Sequence, residues 1–210
     1  MTKKIIILLI SIGLFSSCAI TKRDKFNAVN DYLDSVIADS EEIMIIHEKM
    51  SPDLAIIMLY GHDFWTEYPD TTFVIRENGI HSQVLENGKW VDLFDKKDWL
   101  NMKKKYGDKI ETSTGDNGYW QLEDFRHNNI VFEKRNVFFK NLTSYYFDQP
   151  RKKVFEFSFP ISYKKKYLVF SVTAKTTHST GRAIINLTVV MEKLNGKWIV
   201  VDSAGPSYFD

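Results

Sequence analysis

The sequence predicts an α+β fold: a mainly antiparallel β-sheet, built around a C-terminal four-strand meander, with two or three helices packed on one face or end. Three observations predict it. The C-terminal part alternates runs of β-branched and aromatic residues with turn residues. Asn-Gly dipeptides stand at Asn78-Gly79, Asn87-Gly88 and Asn195-Gly196, and Asn-Gly is the strongest short hairpin signal because both central residues of the tight turn need positive φ. The first half carries apolar residues at helical spacing, with capping residues ahead of them.

Phe26, Val29, Leu33, Val36 and Ile37 fall on one helical face, with Asp31 and Asp34 opposite, so a surface helix is expected over about 24 to 39. Ile43 to Ile46 is a solid apolar run whose periodicity fits either more helix or a buried strand. Ser51-Pro52-Asp53 opens a short helix: Ser caps free amides, Pro is tolerated at the first position and Asp complements the dipole. Gly61 would end it. Strand-like runs at Thr71 to Ile75, Ile80 to Leu85 and Trp90 to Phe94 form a small meander through two Asn-Gly turns. Asp95 caps a helix over Lys96 to Tyr106, and Gly107 stops it. Thr112 to Gly118 is loop by composition. After weaker signals at Tyr119 to Leu122 and Ile130 to Phe139, four strands are expected: Val154 to Phe159, Tyr167 to Lys175, Ala183 to Leu194 and Lys197 to Ser203. Helices followed by such a meander can also curl into a cystatin-like or nuclear-transport-factor-like cone, which is the alternative architecture.

At the N-terminus Lys3 and Lys4 precede an apolar run from Ile5 to Phe15, then Ser16, Ser17 and Cys18, the only cysteine of the chain. This is the three-part order of a secretory signal peptide. The apolar run falls short of the ~20 residues needed to span a bilayer core. Its Ser-Ser-Cys ending resembles the lipobox of bacterial lipoproteins, with Phe15 where Leu, Val or Ile is usual, a looseness tolerated in Bacteroidota. The resemblance implies that residues 1–17 are a signal peptide and that the Cys18 sulfur carries diacylglycerol. It also implies cleavage just before Cys18 and, usually, acylation of the new amino terminus. Each buried CH₂ contributes ~0.8 kcal/mol, so two or three chains hold a protein on a membrane stably. Residues 18–210 would then be one α+β domain, or two subdomains divided near 112–118. "FSFPISYKKKYLVFSVTA" followed by "VVMEKLNGKWIVVDS" is similar to the closing segment of a group of Bacteroidota lipoproteins and secreted proteins. That likeness implies fold and location, and no activity.

With Cys18 acylated, the chain has no other thiol for nucleophilic, redox or disulfide chemistry. The five histidines are scattered, without HExxH or any metal-ligand spacing. GxSxG and P-loop patterns are absent as well. No catalytic residue, metal or cofactor is therefore assigned, and whether the chain is an enzyme stays open, with a non-enzymatic role favoured. Residues 18–98 carry 8 basic and 16 acidic side chains, and residues 99–210 carry 18 and 11. This imbalance reads first as two halves packed with opposite fields facing. A sharper reading is a basic face for an anionic polymer or lipid headgroups, from Lys103 to Lys105, Arg151 to Lys153 and Lys164 to Lys166. No nucleic-acid-binding motif is present.

Aromatic residues around positions 64–68, 119–125 and 145–147 lie near polar groups, an arrangement that suits peptides or sugars. Trp65, Trp120 and Arg126 are the candidate ligand-binding residues. The expected function is a lipid-anchored envelope module, on the outer membrane and facing the periplasm, that binds a protein or surface polymer. Ala19-Ile20-Thr21-Lys22-Arg23 after the cysteine lacks the acidic residues common in surface-exported lipoproteins. The alternatives are an immunity protein whose acidic half meets a basic toxin, and a hydrolase with carboxylates assembled in space.

Overall fold

The structure, a computed structural model, describes residues 20–60, 80, 83–86, 88–107, 118–141, 146, 148–178 and 185–205. Cys18 and the segment expected to be a signal peptide, Trp65, the strand expected at 71–75 and most of the 112–118 loop lie outside the described residues.

Helix α1 spans Lys22–Val36. Thr21 caps it: the Asp24 amide donates to the threonine hydroxyl, and the Thr21 amide donates back to the Asp24 carboxylate. The helix ends at Val36, earlier than its periodicity suggests, because Ile37 turns extended. Strand β1, Ile43–Ile46, is buried along its whole length. Helix α2 follows at Asp53–Tyr60, then the hairpin β2 (Gln83–Glu86) and β3 (Lys89–Asp92). Helix α3 covers Lys96–Tyr106 with Asp95 as cap and Gly107 as stop, as expected from the sequence. Ile130 to Phe139 splits into strand β4 (Ile130–Glu133) and the start of helix α4 (Arg135–Asn141). The C-terminal strands are β5 (Lys153–Phe157), β6 (Ile161–Tyr163), β7 (Tyr167–Thr176), β8 (Ile185–Leu194) and β9 (Lys197–Ala204).

The fold is α+β, with a mostly antiparallel mixed sheet. Its order is β4-β1-β5-β7-β8-β9, with β6 also on β7. The antiparallel part β5-β7-β8-β9 is the expected meander. Beyond it β1 enters between β4 and β5 and runs parallel to both. A strand buried on both faces reads as an unbroken apolar run rather than an alternation, which is why Ile43 to Ile46 gave no period.

Alternation along β7 divides the core. Leu168, Phe170, Val172 and Ala174 pack with Val29, Leu33 and Tyr32 of α1, whereas Tyr167 and Val169 pack with Leu59 of α2 and Trp99 and Met102 of α3. The helices thus cover both faces of the sheet, where the sequence predicts one face or end. Fully burying a side chain such as Leu33 contributes about 1.5–3 kcal/mol. Polar contacts fix the second layer. Trp99 Nε1 donates to the Ile56 carbonyl at 2.8 Å, and the Tyr163 hydroxyl accepts from the Asp95 amide at 2.6 Å while donating to the Leu93 carbonyl at 3.1 Å.

The register of β7 orients the molecule. Tyr167 pairs with Glu192 at one end, and Thr176 pairs with Lys153 at the other, about 30 Å away. Lys193 Nζ meets Asp24 in the first turn of α1, and Lys153 Nζ donates to the Val36 carbonyl at its last. The N-terminus of α1 therefore lies at the Lys164–Lys166 end of the sheet.

Candidate functional site

An open groove of about 780 Å³ lies at that end, bordered by Lys22, Arg23, Phe26, Lys49, Tyr119 and Gln121, with Glu123 and Asp124 at its rim. Three segments build it. The first turn of α1 supplies Lys22, Arg23 and Phe26. The chain leaving β1 supplies Lys49, whose amide donates to the Gly118 carbonyl at 2.8 Å, while the Trp120 amide donates to the His47 carbonyl at 2.8 Å. These bonds bring Tyr119 and Gln121 beside Lys49. A 3₁₀ turn over Leu122–Asp124 closes the third side, capped by the Gln121 amide donating to the Asp124 carboxylate at 3.0 Å.

Cations and aromatic rings interleave here. Lys49 Nζ sits 4.8 Å from the Trp120 ring centroid, Lys25 Nζ 4.4 Å from Phe159 and Lys22 Nζ 5.4 Å from Phe26. Burial lowers the Lys49 ammonium below its ordinary range; Asp124 opposes that shift and Lys22 adds to it. Lys25 is lowered too, first by burial, with Tyr106 opposing and Lys105 adding. Both shifts come first from burial, with a neighbouring lysine adding a smaller share to each. Asp24 is the counterexample: burial acts to raise its carboxyl, but hydrogen bonds from Lys193 and Thr21 outweigh it and hold it at about 2.

The residues singled out from sequence fare differently. Trp120 is fully buried, its Nε1 donating to the Phe157 carbonyl at 3.3 Å and its ring packed against Phe26, Phe125 and Phe157. It is a core residue behind the groove, not an exposed platform. Its neighbour Tyr119, at 43% exposure, borders the groove together with Phe26. Arg126 is a clasp: Nη2 donates to Asp31 at 2.6 Å and to Asp34 at 2.8 Å. Asn30 completes it, donating to the Phe26 and Asp124 carbonyls and accepting from the Arg126 amide. Trp65 lies outside the described residues.

Sequence reasoning missed Lys22, Arg23 and Lys49 because the groove joins segments remote in the chain, the start of α1, the chain after β1 and residues 119–124. The Thr21-to-Asp24 capping box was the available signal, since it starts the helix at Lys22 and so places two cations at its mouth.

The buried carboxylates have full coordination. Asp31 accepts from Arg126 and from the Trp198 amide at 2.7 Å. Glu156 accepts from Arg135 at 2.8 Å and Lys175 at 3.1 Å, and Lys175 also lies 4.3 Å from the Phe139 ring. Each charge is balanced by a cation in place, which is a structural arrangement. A second cavity, of about 360 Å³, lies between the C-terminus of α1 and the far ends of β5 and β7; Lys152 and Lys153 on its rim pair with Glu42 and Glu41. Among the described residues there is no cluster of three or more His, Cys, Asp or Glu that could hold a metal, and no helix is long and apolar enough to cross a membrane.

Comparison with protein-family models, with curated proteins and with solved structures finds no match to this chain.

Proposed function

We propose that this chain is a lipid-anchored lipoprotein of the bacterial envelope, held on the periplasmic side through acylated Cys18, and that it acts as a non-enzymatic binding module for a protein or surface polymer. One observation carries the reading. Thr21 is the cap of α1, so only Ala19 and Ile20 separate it from the cysteine that ends the lipobox-like segment. An extended chain of that length reaches about 10 Å. An anchor at Cys18 would therefore present the groove of Lys22, Lys49 and Tyr119 close to the membrane rather than on a stalk.

Two further observations favour binding over the alternatives. Asp31 and Glu156, the buried carboxylates among the described residues, are held by Arg126, Arg135 and Lys175. The acids an immunity role would offer to a basic toxin are partly occupied by this chain's own cations, as in Asp24 with Lys193, Glu41 with Lys153 and Glu42 with Lys152.

The test is to replace Cys18 with Ala and fractionate cells fed a labelled fatty acid. The parent should incorporate label and sediment with membranes, and Cys18→Ala should do neither. Equal membrane association of the two proteins without label in either contradicts the anchor.

A further inference from the structure

We infer that the end of the molecule carrying the N-terminus of α1 is a docking face for the anionic phospholipid headgroups of the membrane in which Cys18 is anchored. The inference rests on the anchor proposed above and adds a surface and an orientation to it.

Folding gathers there cations that are scattered in sequence. Asp24 with Lys193 places the start of α1 beside the β8–β9 turn, and Lys166 with Glu192 places the β6–β7 turn beside both. Lys25 over the Tyr106 ring, 5.5 Å from its centroid, brings in the last turn of α3, with Lys103, Lys104 and Lys105. The acids at this end include Asp92, Asp95 and Asp98, which lie beside Tyr163 and Lys164. Asp24 and Glu192 are paired, and Glu123 and Asp124 line the groove beside Lys22, Arg23 and Lys49. Arg23, Lys104 and Lys165 are exposed and have no partner among the described residues. At the opposite end Lys152 and Lys153 are tied to Glu42 and Glu41. The nine-residue basic face expected from sequence is therefore divided, with Arg151 to Lys153 on the wrong end for it.

The β6–β7 turn supplies an independent observation. Lys164 and Lys165 hold φ of 49° and 57°, the left-handed region, with the Lys166 amide donating to the Tyr163 carbonyl. L-residues other than Gly, Asn and Asp enter that region at a cost. The β8–β9 turn of the same chain answers the same demand with Asn195 and Gly196, at φ 51° and 84°. Lys164 has one structural role, donating to the Asp92 carbonyl at 3.0 Å. Lys165 has none, so a strained, exposed lysine occupies a position where glycine would be more stable. Charge facing outward accounts for it.

Reach and charge select a lipid surface as the occupant. The start of α1, within about 10 Å of the acylated residue, lies within about one screening length of the headgroup plane at physiological salt. There an anionic leaflet attracts each nearby Lys or Arg.

The experiment uses residues 18–210 with Cys18→Ala, which contain every described contact, and measures co-sedimentation with vesicles. Binding is expected to phosphatidylcholine vesicles containing phosphatidylglycerol and not to pure phosphatidylcholine, and should weaken with salt. Lys165→Gly should weaken it about fivefold, and Arg23→Gln with Lys104→Gln and Lys165→Gly together about a hundredfold. Arg151→Gln, at the far end, should leave it unchanged. Lys165→Gly should also raise Tm, so weaker binding cannot come from misfolding. Equal binding to both vesicle types overturns the inference. So does an Arg151→Gln loss as large as that of Lys165→Gly, or capture by soluble heparin in preference to vesicles. An acylated Cys18 with no vesicle binding removes the docking face alone, whereas vesicle binding with an unacylated Cys18 removes the anchor alone.

Discussion

Asp31 does most for its size. One buried carboxylate accepts from the Arg126 guanidinium and from the Trp198 amide, joining α1 to the 125–127 loop and to the start of β9. Replacing it with Ala leaves a buried amide without a partner and should cost about 3 kcal/mol in urea unfolding. Asp34, at 31% side-chain exposure, pairs with the same arginine, and Asp34→Ala should cost no more than about 1 kcal/mol. Asp24 gives a pH-dependent counterpart. Its carboxyl falls from 3.8 to about 2 on folding. A depressed acid contributes stability that is present above its unfolded pKa and lost as pH falls through the folded one. Asp24→Asn should thus be less stable than the parent at pH 7, and the gap should close between pH 3.8 and about 2. A gap that stays constant across that window contradicts the assignment.

At the scale of elements, the legible parts were those whose signals are local. Asp95, the Trp99 and Met102 face and Gly107 defined α3, and Asn195-Gly196 defined the β8–β9 hairpin. Gly196→Ala should cost about 1 kcal/mol by backbone conformation alone, since open space surrounds the position. What failed were the non-local features. The parallel insertion of β1 between β4 and β5 depends on residues some 90 to 110 positions away, and no period in Ile43 to Ile46 encodes it. Trp120 illustrates the same limit for the site. Its aromatic neighbours are visible in the sequence, but whether the indole faces solvent or core depends on Phe26 and Phe157, distant on either side. Arg126 was singled out from its aromatic and polar neighbours in the chain, whereas its partners Asp31 and Asp34 lie on α1, more than 90 positions away.

For the whole molecule, the charge imbalance between the two halves of the chain resolves into contacts. Asp24 with Lys193, Asp31 and Asp34 with Arg126, Glu41 with Lys153 and Glu42 with Lys152 all join residues 18–98 to residues 99–210. Several cross-half ion pairs thus accord with two halves packed with opposite fields facing, while Arg23, Lys104 and Lys165, at the end from which α1 starts, have no partner among the described residues. The central claim is that this end is tied to a membrane through Cys18. Intact-mass spectrometry of the protein purified from its native envelope tests it most directly. The account predicts a chain beginning at Cys18 and carrying a diacylglycerol thioether. An unmodified chain of 24.5 kDa beginning at Met1, or one with a free Cys18 thiol, would contradict it.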